Sequence, residues 1–355
     1  MRQGIEKLRE RLQHFQLEAL LVTSLANIRY LFGFTGSSAI AYVAPDLCFF
    51  VTDRRYRHQV KSEVQGAEIF VAVQDLYGEL KRAKLRARTR VGVEAQYISL
   101  KNFAHLRKTF PDVKWIATER IVERIASVKT PDEIAYIKKA AEICGRVYLD
   151  LLPLVKAGVR ELELSAEISY RTRRAGSERD PFEPIVASGQ RSALPHGISS
   201  PKVIELGDFV ILDFGAVVNG YAADITRTVV VGEPTAKQKE MASVVGESLQ
   251  LAAAAGKAGM IGKQLDGIAR EYLAQQGYGD FFQHSLGHGL GIEVHGLPRI
   301  GDLSEDPLEI GNVVALEPGV YLPELGGVRV EDDFVITAGR FKNLSPFSRE
   351  VISVG

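Results

Sequence analysis

Two aspartates flank a predicted turn in the middle of the chain. An Asn219-Gly220 pair separates two β-rich runs, and such a pair is a strong signal for a tight β-hairpin. With the turn centred there, Asp213 faces Thr226, and Asp224 lies two residues along on the same face of the partner strand. Two carboxylates that converge in an apolar hairpin repel each other, and a divalent cation between them would remove the conflict. Two surface aspartates on a twisted edge hairpin are the alternative.

A histidine cluster follows in a glycine-rich stretch. Three of the seven histidines, His284, His288 and His295, fall within twelve residues. Gly287 and Gly289 on either side of His288 would let the backbone come close to a ligand. Neutral imidazole is a common ligand of first-row metals, and a remaining histidine could transfer protons near neutral pH. A lone histidine would more often be structural, whereas three together favour function.

Two glutamates lie in apolar, strand-like surroundings. Glu317 ends the run Val313–Leu316, and Glu331 shares one face of a predicted strand with Arg329. Either glutamate could be held in a salt bridge. An ionised carboxylate in the interior is costly without a partner, and the apolar neighbours offer none. Four carboxylates and one histidine form an oxygen-rich set that suits two divalent cations.

The elements that must position these residues fall into two predicted domains. Short strands alternate with helices over residues 1–125, which predicts a compact α/β domain. Thr130, Pro131 and Glu133 form the signature of a helix start with a capping box, so a long helix opens a second domain at residues 126–355. Further helices are predicted over residues 161–175 and 236–258.

Composition narrows the class of function. Lys plus Arg and Asp plus Glu both number 44, and this zero net charge disfavours a nucleic-acid-binding surface. Cys48 and Cys144 have no ligand or redox spacing, which favours a reducing compartment. The N-terminal residues predict an amphipathic helix rather than a signal peptide, and no apolar run approaches the ~20 residues of a membrane span. These features predict a cytoplasmic protein without a membrane partner.

In their order and spacing, these motifs resemble the metallopeptidase family of proline-specific dipeptidases and aminopeptidases. The resemblance covers nearly the whole chain. It rests on residues 27–37, 52–56, 185–189, 196–197, 213–228, 284–295, 317–319 and 328–333. It implies an α/β N-terminal domain followed by an α+β pita-bread catalytic domain of the creatinase/aminopeptidase type. It also implies a homodimer that acts on small proline-containing peptides.

The resemblance also implies roles for individual residues. Two divalent metal ions per subunit, Mn²⁺ or Co²⁺ with Zn²⁺ and Fe²⁺ as alternatives, would bind a set of five residues. These are Asp213, Asp224, His288, Glu317 and Glu331. His196, His284 and His295 would orient the substrate and stabilise the tetrahedral intermediate, and Glu317 would carry the proton. Arg299 would receive the terminal carboxylate of a dipeptide. Arg329 would either face the substrate or, as the favoured reading, position Glu331.

Two other activities stay open at this stage. An aminopeptidase acting on longer Xaa-Pro peptides shares these motifs, and the sequence does not show whether the pocket is closed beyond proline. A non-catalytic pita-bread protein that binds peptides belongs to a different class, but such proteins generally lose metal ligands. Gly296 stands where many relatives carry an acidic residue, and Arg54 replaces a common glycine. Neither position is a ligand, although Gly296 makes the specificity less certain.

Overall fold

The structure is a computed structural model that describes residues 3–85, 87–345 and 347–355. Its contacts divide the chain into two compact units, Met1–Ala126 and Ser127–Gly355. Each unit has its own hydrophobic core. Among the described residues, no helix is both long enough and apolar enough to cross a membrane.

The N-terminal unit is an α/β layer structure. Its helices are α1 (Gln3–His14), α2 (Leu25–Phe32), α3 (Gln59–Glu63), α4 (Leu100–Thr109) and α5 (Ile121–Ser127). Its strands are β1 (Ala19–Val22), β2 (Ala39–Val43), β3 (Cys48–Asp53), β4 (Glu68–Ala72), β5 (Arg90–Glu94) and β6 (Lys114–Thr118). They pair in the order β4-β3-β2-β1-β5-β6, and β2 runs antiparallel to the others.

Both faces of this sheet are buried, as is usual for a mostly parallel sheet. Side chains alternate along β1, so Leu20 and Val22 join one apolar cluster while Ala19 and Leu21 join another. The predicted amphipathic N-terminal helix is confirmed for the described residues, and its apolar stripe is buried in the first cluster. Met1 and Arg2, which the prediction included, lie outside the described residues.

The second unit combines helices with short, mostly antiparallel strands. Its helices are α6 (Pro131–Leu151), α7 (Glu161–Arg174), α8 (Ala236–Ala255) and α9 (Gly262–Gln275). Its first strands are β7 (Ile185–Ser188), β8 (Phe209–Val218), β9 (Tyr221–Val231), β10 (Gly287–Gly289), β11 (Gly296–Ile300) and β12 (Val313–Leu316). The remaining strands are β13 (Gly319–Leu322), β14 (Gly326–Arg329), β15 (Asp332–Ile336), β16 (Phe341–Asn343) and β17 (Ser353–Val354).

The described residues of this unit form three sheets. They have the strand orders β17-β9-β8-β7, β11-β10-β12-β15-β16 and β13-β14. The predicted capping box is present at the start of α6, where the Thr130 hydroxyl and the Glu133 carboxylate each accept a backbone N–H of the other residue. Helix α6 packs on one face of the β8–β9 hairpin, against residues such as Leu212 and Ile225. Because strand side chains alternate, Asp213 and Asp224 lie on the opposite face.

Helix α9 was not predicted from the sequence. It begins at Gly262 and carries Gly267, two residues that lower intrinsic helix propensity. Its buried stripe of Leu265, Ala269 and Leu273 packs into the main apolar cluster of the unit. Tertiary packing therefore outweighs local propensity in this segment.

Candidate metal centre and active-site cavity

The β8–β9 hairpin sets the positions of the two aspartates. Asn219 and Gly220 have φ angles of 49° and 86°, and positive φ at both central residues is what a type I′ turn requires. Asp213 pairs with Thr226 in the ladder, as predicted, and Asp224 lies opposite Gly215. The two strands are closely packed at this point. A Cβ on Gly215 would come within 2.3 Å of the Ala223 carbonyl oxygen.

Strand β10 brings His288 to the same place. It is hydrogen-bonded between β11 and β12, and its flanking glycines make this possible. A Cβ on Gly287 would lie 2.0 Å from the Ala315 oxygen, and one on Gly289 would lie 1.9 Å from the Leu297 oxygen. The glycines around the histidine therefore serve strand packing. This differs from the role predicted from the sequence, which is close approach of the backbone to a ligand.

The two glutamates approach from neighbouring strands. Glu317 directly follows β12, and its Oε1 lies 3.7 Å from His288 Nε2. Glu331 lies between β14 and β15, where its backbone N–H donates to the Thr226 oxygen and its Oε2 accepts the Thr226 hydroxyl at 2.7 Å. Asp224 Oδ2 is 3.9 Å from His288 Nε2. One ligand atom each from Asp224, His288 and Glu331 lie within 4.8 Å of one another.

Arg329 pairs with a different carboxylate from the one expected. Its Nη2 donates to Asp213 Oδ2 at 2.6 Å, whereas the sequence analysis favoured Glu331 as the group it positions. Alternation does place Arg329 and Glu331 on one face. However, β14 ends at Arg329, and the long guanidinium side chain extends over Thr226 to reach β8. Arg329 does not bond to Glu331 directly, but its Nε donates to the Thr226 hydroxyl, which in turn donates to Glu331 Oε2, so its role in positioning Glu331 stays a prediction.

A chain of hydrogen bonds continues from Arg329 to the histidines. Arg329 Nη1 donates to the Tyr321 hydroxyl at 2.9 Å, and that hydroxyl lies 2.8 Å from His284 Nε2. The Ser285 carbonyl accepts from His284 Nδ1 at 2.8 Å, which assigns the proton to Nδ1. Tyr321 therefore donates to His284 and links it to Asp213 through Arg329. Sequence analysis missed Tyr321, although its strand directly follows Glu317.

Burial and neighbouring negative charges disfavour the ionised form of these carboxylates when only protein atoms surround them. Burial raises the pKa of Asp224 well above its usual range, and the neighbouring carboxylates of Glu331 and Asp213 raise it further. Burial likewise raises the pKa of Glu331 and brings that of Glu317 to about 8. Burial also lowers the pKa of His288 to about 4, so this imidazole is neutral and able to act as a ligand.

Several of the buried oxygens have no hydrogen-bond partner among the described residues. They are Asp224 Oδ1, Glu331 Oε1 and Asp333 Oδ1. Buried polar atoms are almost always paired, so unpaired oxygens on adjacent carboxylates indicate a missing positive charge. The donor set is four carboxylates and one neutral imidazole, which fits divalent cations. The residues present therefore fit the metal that the sequence predicted.

A cavity of about 330 Å³ adjoins this cluster. Its lining contains the four histidines of the prediction together with two arginines and one glutamate. They are His196, His284, His288, His295, Arg299, Glu317 and Arg329. The His288 and His295 rings meet edge to face, with centroids 4.5 Å apart. The structure thus brings the predicted residues together at one site: Asp213, Asp224 and Glu331 in the carboxylate cluster, and the others around the cavity.

Asp333 is a second residue that sequence analysis did not single out. Its Oδ2 accepts the backbone N–H of Asp224 at 3.1 Å, and the residue is fully buried. The signal was available, because the alternation that puts Arg329 and Glu331 on one face extends to Asp333. Its contact with Asp224 spans more than a hundred residues of sequence, so the partner could not be identified from local pattern.

Buried carboxylates with unpaired oxygens beside a histidine-lined cavity, all within the Ser127–Gly355 unit, are the features of a metal-dependent hydrolase. The chain belongs to metallopeptidase family M24, whose model matches residues 135–338. The model of the creatinase/prolidase N-terminal domain matches residues 5–128. The chain is therefore a metallopeptidase, and the predicted combination of an α/β N-terminal domain with a pita-bread catalytic domain is confirmed.

Individual relatives match over the full length of the chain. An Xaa-Pro dipeptidase of Pyrococcus furiosus is 36% identical over 356 residues, which is 99% of this chain and 100% of that protein. The structure of an Xaa-Pro dipeptidase from Bacillus anthracis has a TM-score of 0.94 at 36% identity, with 99% of both chains covered. That of an X-Pro aminopeptidase from Thermotoga maritima has a TM-score of 0.91 at 38% identity, also over 99% of both chains.

Proposed function

We propose that this metallopeptidase hydrolyses the Xaa-Pro bond of dipeptides with the help of two divalent metal ions. One observation carries the proposal: carboxylate oxygens that are buried and, in the part of the chain that the structure describes, unpaired adjoin a cavity lined by histidines and by a guanidinium that likewise has no partner there. Full-length similarity to Xaa-Pro dipeptidases supports the choice of substrate.

The metal site would consist of Asp213, Asp224, His288, Glu317 and Glu331. Mn²⁺ or Co²⁺ is the occupant that the family resemblance favours, and Zn²⁺ or Fe²⁺ are the alternatives because a carboxylate set with one imidazole suits them too. When bound, a pair of such ions polarises a carbonyl and lowers the pKa of water towards neutrality. The ions would also provide the positive charge that the unpaired carboxylate oxygens lack.

The chain's own groups would bind the peptide and move the proton. Glu317 reaches both the carboxylate cluster and the cavity, so its carboxylate can accept a proton and deliver it to the leaving nitrogen. Delivery matters because the nitrogen of an Xaa-Pro bond carries no hydrogen. His196 and His295 face the same cavity, where an imidazole N–H can donate to the oxygen that becomes negative. Both ring nitrogens of His284 are engaged, with the Ser285 carbonyl and the Tyr321 hydroxyl, so this residue would act by holding Tyr321 and Arg329 in place beside the substrate.

Arg299 would set the length of the substrate. Its side chain lines the cavity, and among the described residues its guanidinium makes no hydrogen bond or ion pair. A planar guanidinium without a partner is well suited to bind a carboxylate in a bidentate manner. Dipeptides present their terminal carboxylate one residue beyond the cleaved bond, whereas longer peptides present an amide there.

The test is a comparison of matched substrates after metal removal. The protein is dialysed against a chelator, restored with Mn²⁺, Co²⁺ or Zn²⁺, and offered an Xaa-Pro dipeptide and the corresponding Xaa-Pro-Yaa tripeptide. We expect metal-dependent cleavage of the dipeptide, and Arg299→Met is expected to raise its KM. Equal or better cleavage of the tripeptide would instead establish an aminopeptidase, and the role given to Arg299 would be wrong.

Two further features belong to this proposal. We expect a homodimer, as the family resemblance implies, and sedimentation at micromolar concentration measures it directly. We also expect residence in the cytoplasm, since Cys48 and Cys144 are both unpaired and buried. Fractionation of the source cells would test the location.

A further inference from the structure

The position of His196 is set by the backbone of its loop and not by hydrogen bonds of its own imidazole. It lines the cavity from the segment that connects β7 to β8, and its side chain is exposed. Among the described residues, its imidazole makes no hydrogen bond or ion pair. The position of this ring therefore depends on whatever fixes the backbone of residues 189–200.

A single buried carboxylate bonds to both ends of that segment. Glu161, the first residue of α7, is 0% exposed. Its Oε1 accepts the backbone N–H and the hydroxyl of Ser188 at 2.8 and 2.9 Å, just before the loop. Its Oε2 accepts the backbone N–H and the hydroxyl of Ser200 at 3.0 and 2.7 Å, at the end of the loop.

The same carboxylate also bonds to Arg191, near the start of the loop, and Arg191 reaches across to its far side. Arg191 Nε donates to Glu161 Oε2 at 3.1 Å, and Arg191 Nη2 donates to the Ile198 carbonyl at 2.6 Å. The guanidinium thus spans the residues on both sides of His196. Among the described residues, Glu161 accepts five hydrogen bonds, and every donor belongs to Ser188, Arg191 or Ser200, at the two ends of this loop.

The chemistry of this contact requires a carboxylate. Five donors meet two oxygens, so an acceptor-only group is needed at both positions. A glutamine in the same place would turn an NH₂ group towards donors on one side and leave them unpaired in the interior. The position at the start of α7 adds favourable interaction with the helix dipole.

We propose that Glu161 is a positioning residue that holds His196 against the substrate. The proposal rests on the proposed Xaa-Pro hydrolysis for its activity readout, and it adds a residue outside the cavity to that site. Glu161 touches neither the cavity lining nor the carboxylate cluster, so its loss is expected to act only through the loop.

A double-mutant cycle tests this with Glu161→Gln, His196→Ala and the double variant. Loss of a donor to a developing oxyanion costs about 100–1,000-fold, so His196→Ala is expected to lower kcat/KM by that order. We expect Glu161→Gln to lower kcat/KM at least tenfold. The loss should be divided between kcat and KM in the same proportion as in His196→Ala. In the double variant, the second change should add less than about threefold, since coupled groups are not additive.

Glu163→Gln is the matched control. Glu163 is two residues away on the same helix, its side chain is 49% exposed, and its carboxylate bonds only to Arg160. We expect this variant to keep wild-type kcat/KM. Wild-type kcat/KM in Glu161→Gln would overturn the proposal. Fully additive losses in the double variant would also overturn it, because they would show a general structural effect.

Hydrogen exchange provides a readout that does not depend on activity. Glu161→Gln should speed amide exchange at Ser188 and Ser200 while leaving β8 and β9 protected, with unchanged metal content. Unchanged amide exchange at both serines would contradict the proposal for Glu161, whether or not the protein cleaves Xaa-Pro peptides. Absence of Xaa-Pro cleavage with faster exchange at both serines would contradict the proposed function alone. If Glu161→Gln does not fold, Ser200→Ala removes one donor and should produce the same pattern more weakly.

Discussion

Each unit of this protein contains a polar cluster built around buried carboxylate, with one carboxylate in the N-terminal unit and several in the catalytic unit, and the surroundings differ. In the N-terminal unit, Glu94 is 6% exposed and accepts the backbone N–H groups of Thr23 and Ser24 at 2.5 and 2.8 Å. The Asn27 side chain donates to its other oxygen at 2.6 Å. Both oxygens of Glu94 are therefore paired, and they fix the start of α2.

In the catalytic unit, the pairing is incomplete. Asp224 and Glu331 are 4% and 2% exposed, and each has an oxygen without a partner among the described residues. Their nearest charged neighbours include other carboxylates, which raise the pKa of both. A buried carboxylate surrounded by N–H donors stabilises a fold, whereas one surrounded by carboxylates needs a cation. Glu161 shows that the distinction is local, because it lies in the catalytic unit and is fully paired.

The largest expected effect is the loss of activity in Asp224→Asn. Metal-based stabilisation of a transition state is worth several kcal/mol, so we expect kcat/KM to fall about a thousandfold or more. Metal content should fall in parallel, as measured by elemental analysis. Asp150→Asn, which removes one charge from an exposed position on α6, is the control and should retain both. Full metal content in Asp224→Asn would show that the unpaired oxygens do not mark the site.

Chelation is expected to affect the two clusters differently. A ligand at a hundred times its Kd stabilises the folded state by about 2.7 kcal/mol, and this contribution disappears when the metal is removed. Amide exchange after chelation should therefore speed up in β9 and β15, which hold Asp224 and flank Glu331. Exchange around Glu94 in β5 should not change. Equal acceleration in β5 would contradict the comparison.

The sequence predicted the parts of this site that local pattern encodes. The Asn219-Gly220 turn fixes the register of Asp213 against Thr226, and the capping box fixes the start of α6. The partners of Arg329 and Asp333 could not be predicted in this way. Their contacts join residues 116 and 109 positions apart, and only the packing of separate sheets brings them together.

Glu94 and Glu161 illustrate the same limit. The donors to Glu94 lie 67 to 71 residues earlier in the chain, and those to Glu161 lie 27 to 39 residues later. Composition gives no reason to separate these glutamates from exposed ones. The acidic residues of the metal centre could be predicted from the sequence because short motifs contain them. The paired carboxylates that support the fold could be identified only from the structure.

Removal of the paired carboxylate should cost stability without affecting the metal centre. Glu94→Ala leaves the Thr23 and Ser24 N–H groups unpaired in the interior, and each such group costs about 1–3 kcal/mol. We expect a loss of about 3 kcal/mol in the N-terminal unit. The single tryptophan, Trp115, lies in β6 of this unit, so its fluorescence in urea measures the change. A drop in metal content in this variant would argue against separate roles for the two clusters.

The smallest expected effect is a pH dependence that arises from Glu94. Burial raises its pKa to about 7 from the model-peptide value of 4.5, although the hydrogen bonds from Ser24, Thr23 and Asn27 oppose the shift. A raised carboxyl pKa means that the folded state binds more protons, so stability falls as pH rises. The contribution is complete below about pH 4.5 and is lost as pH rises through about 7, and between pH 5 and pH 7 the change in unfolding free energy is about 2 kcal/mol. Urea unfolding followed by Trp115 fluorescence at pH 5, 6 and 7 measures the slope, and Glu94→Gln, which cannot titrate, should flatten it. A slope that persists in Glu94→Gln would assign the pH dependence to another group.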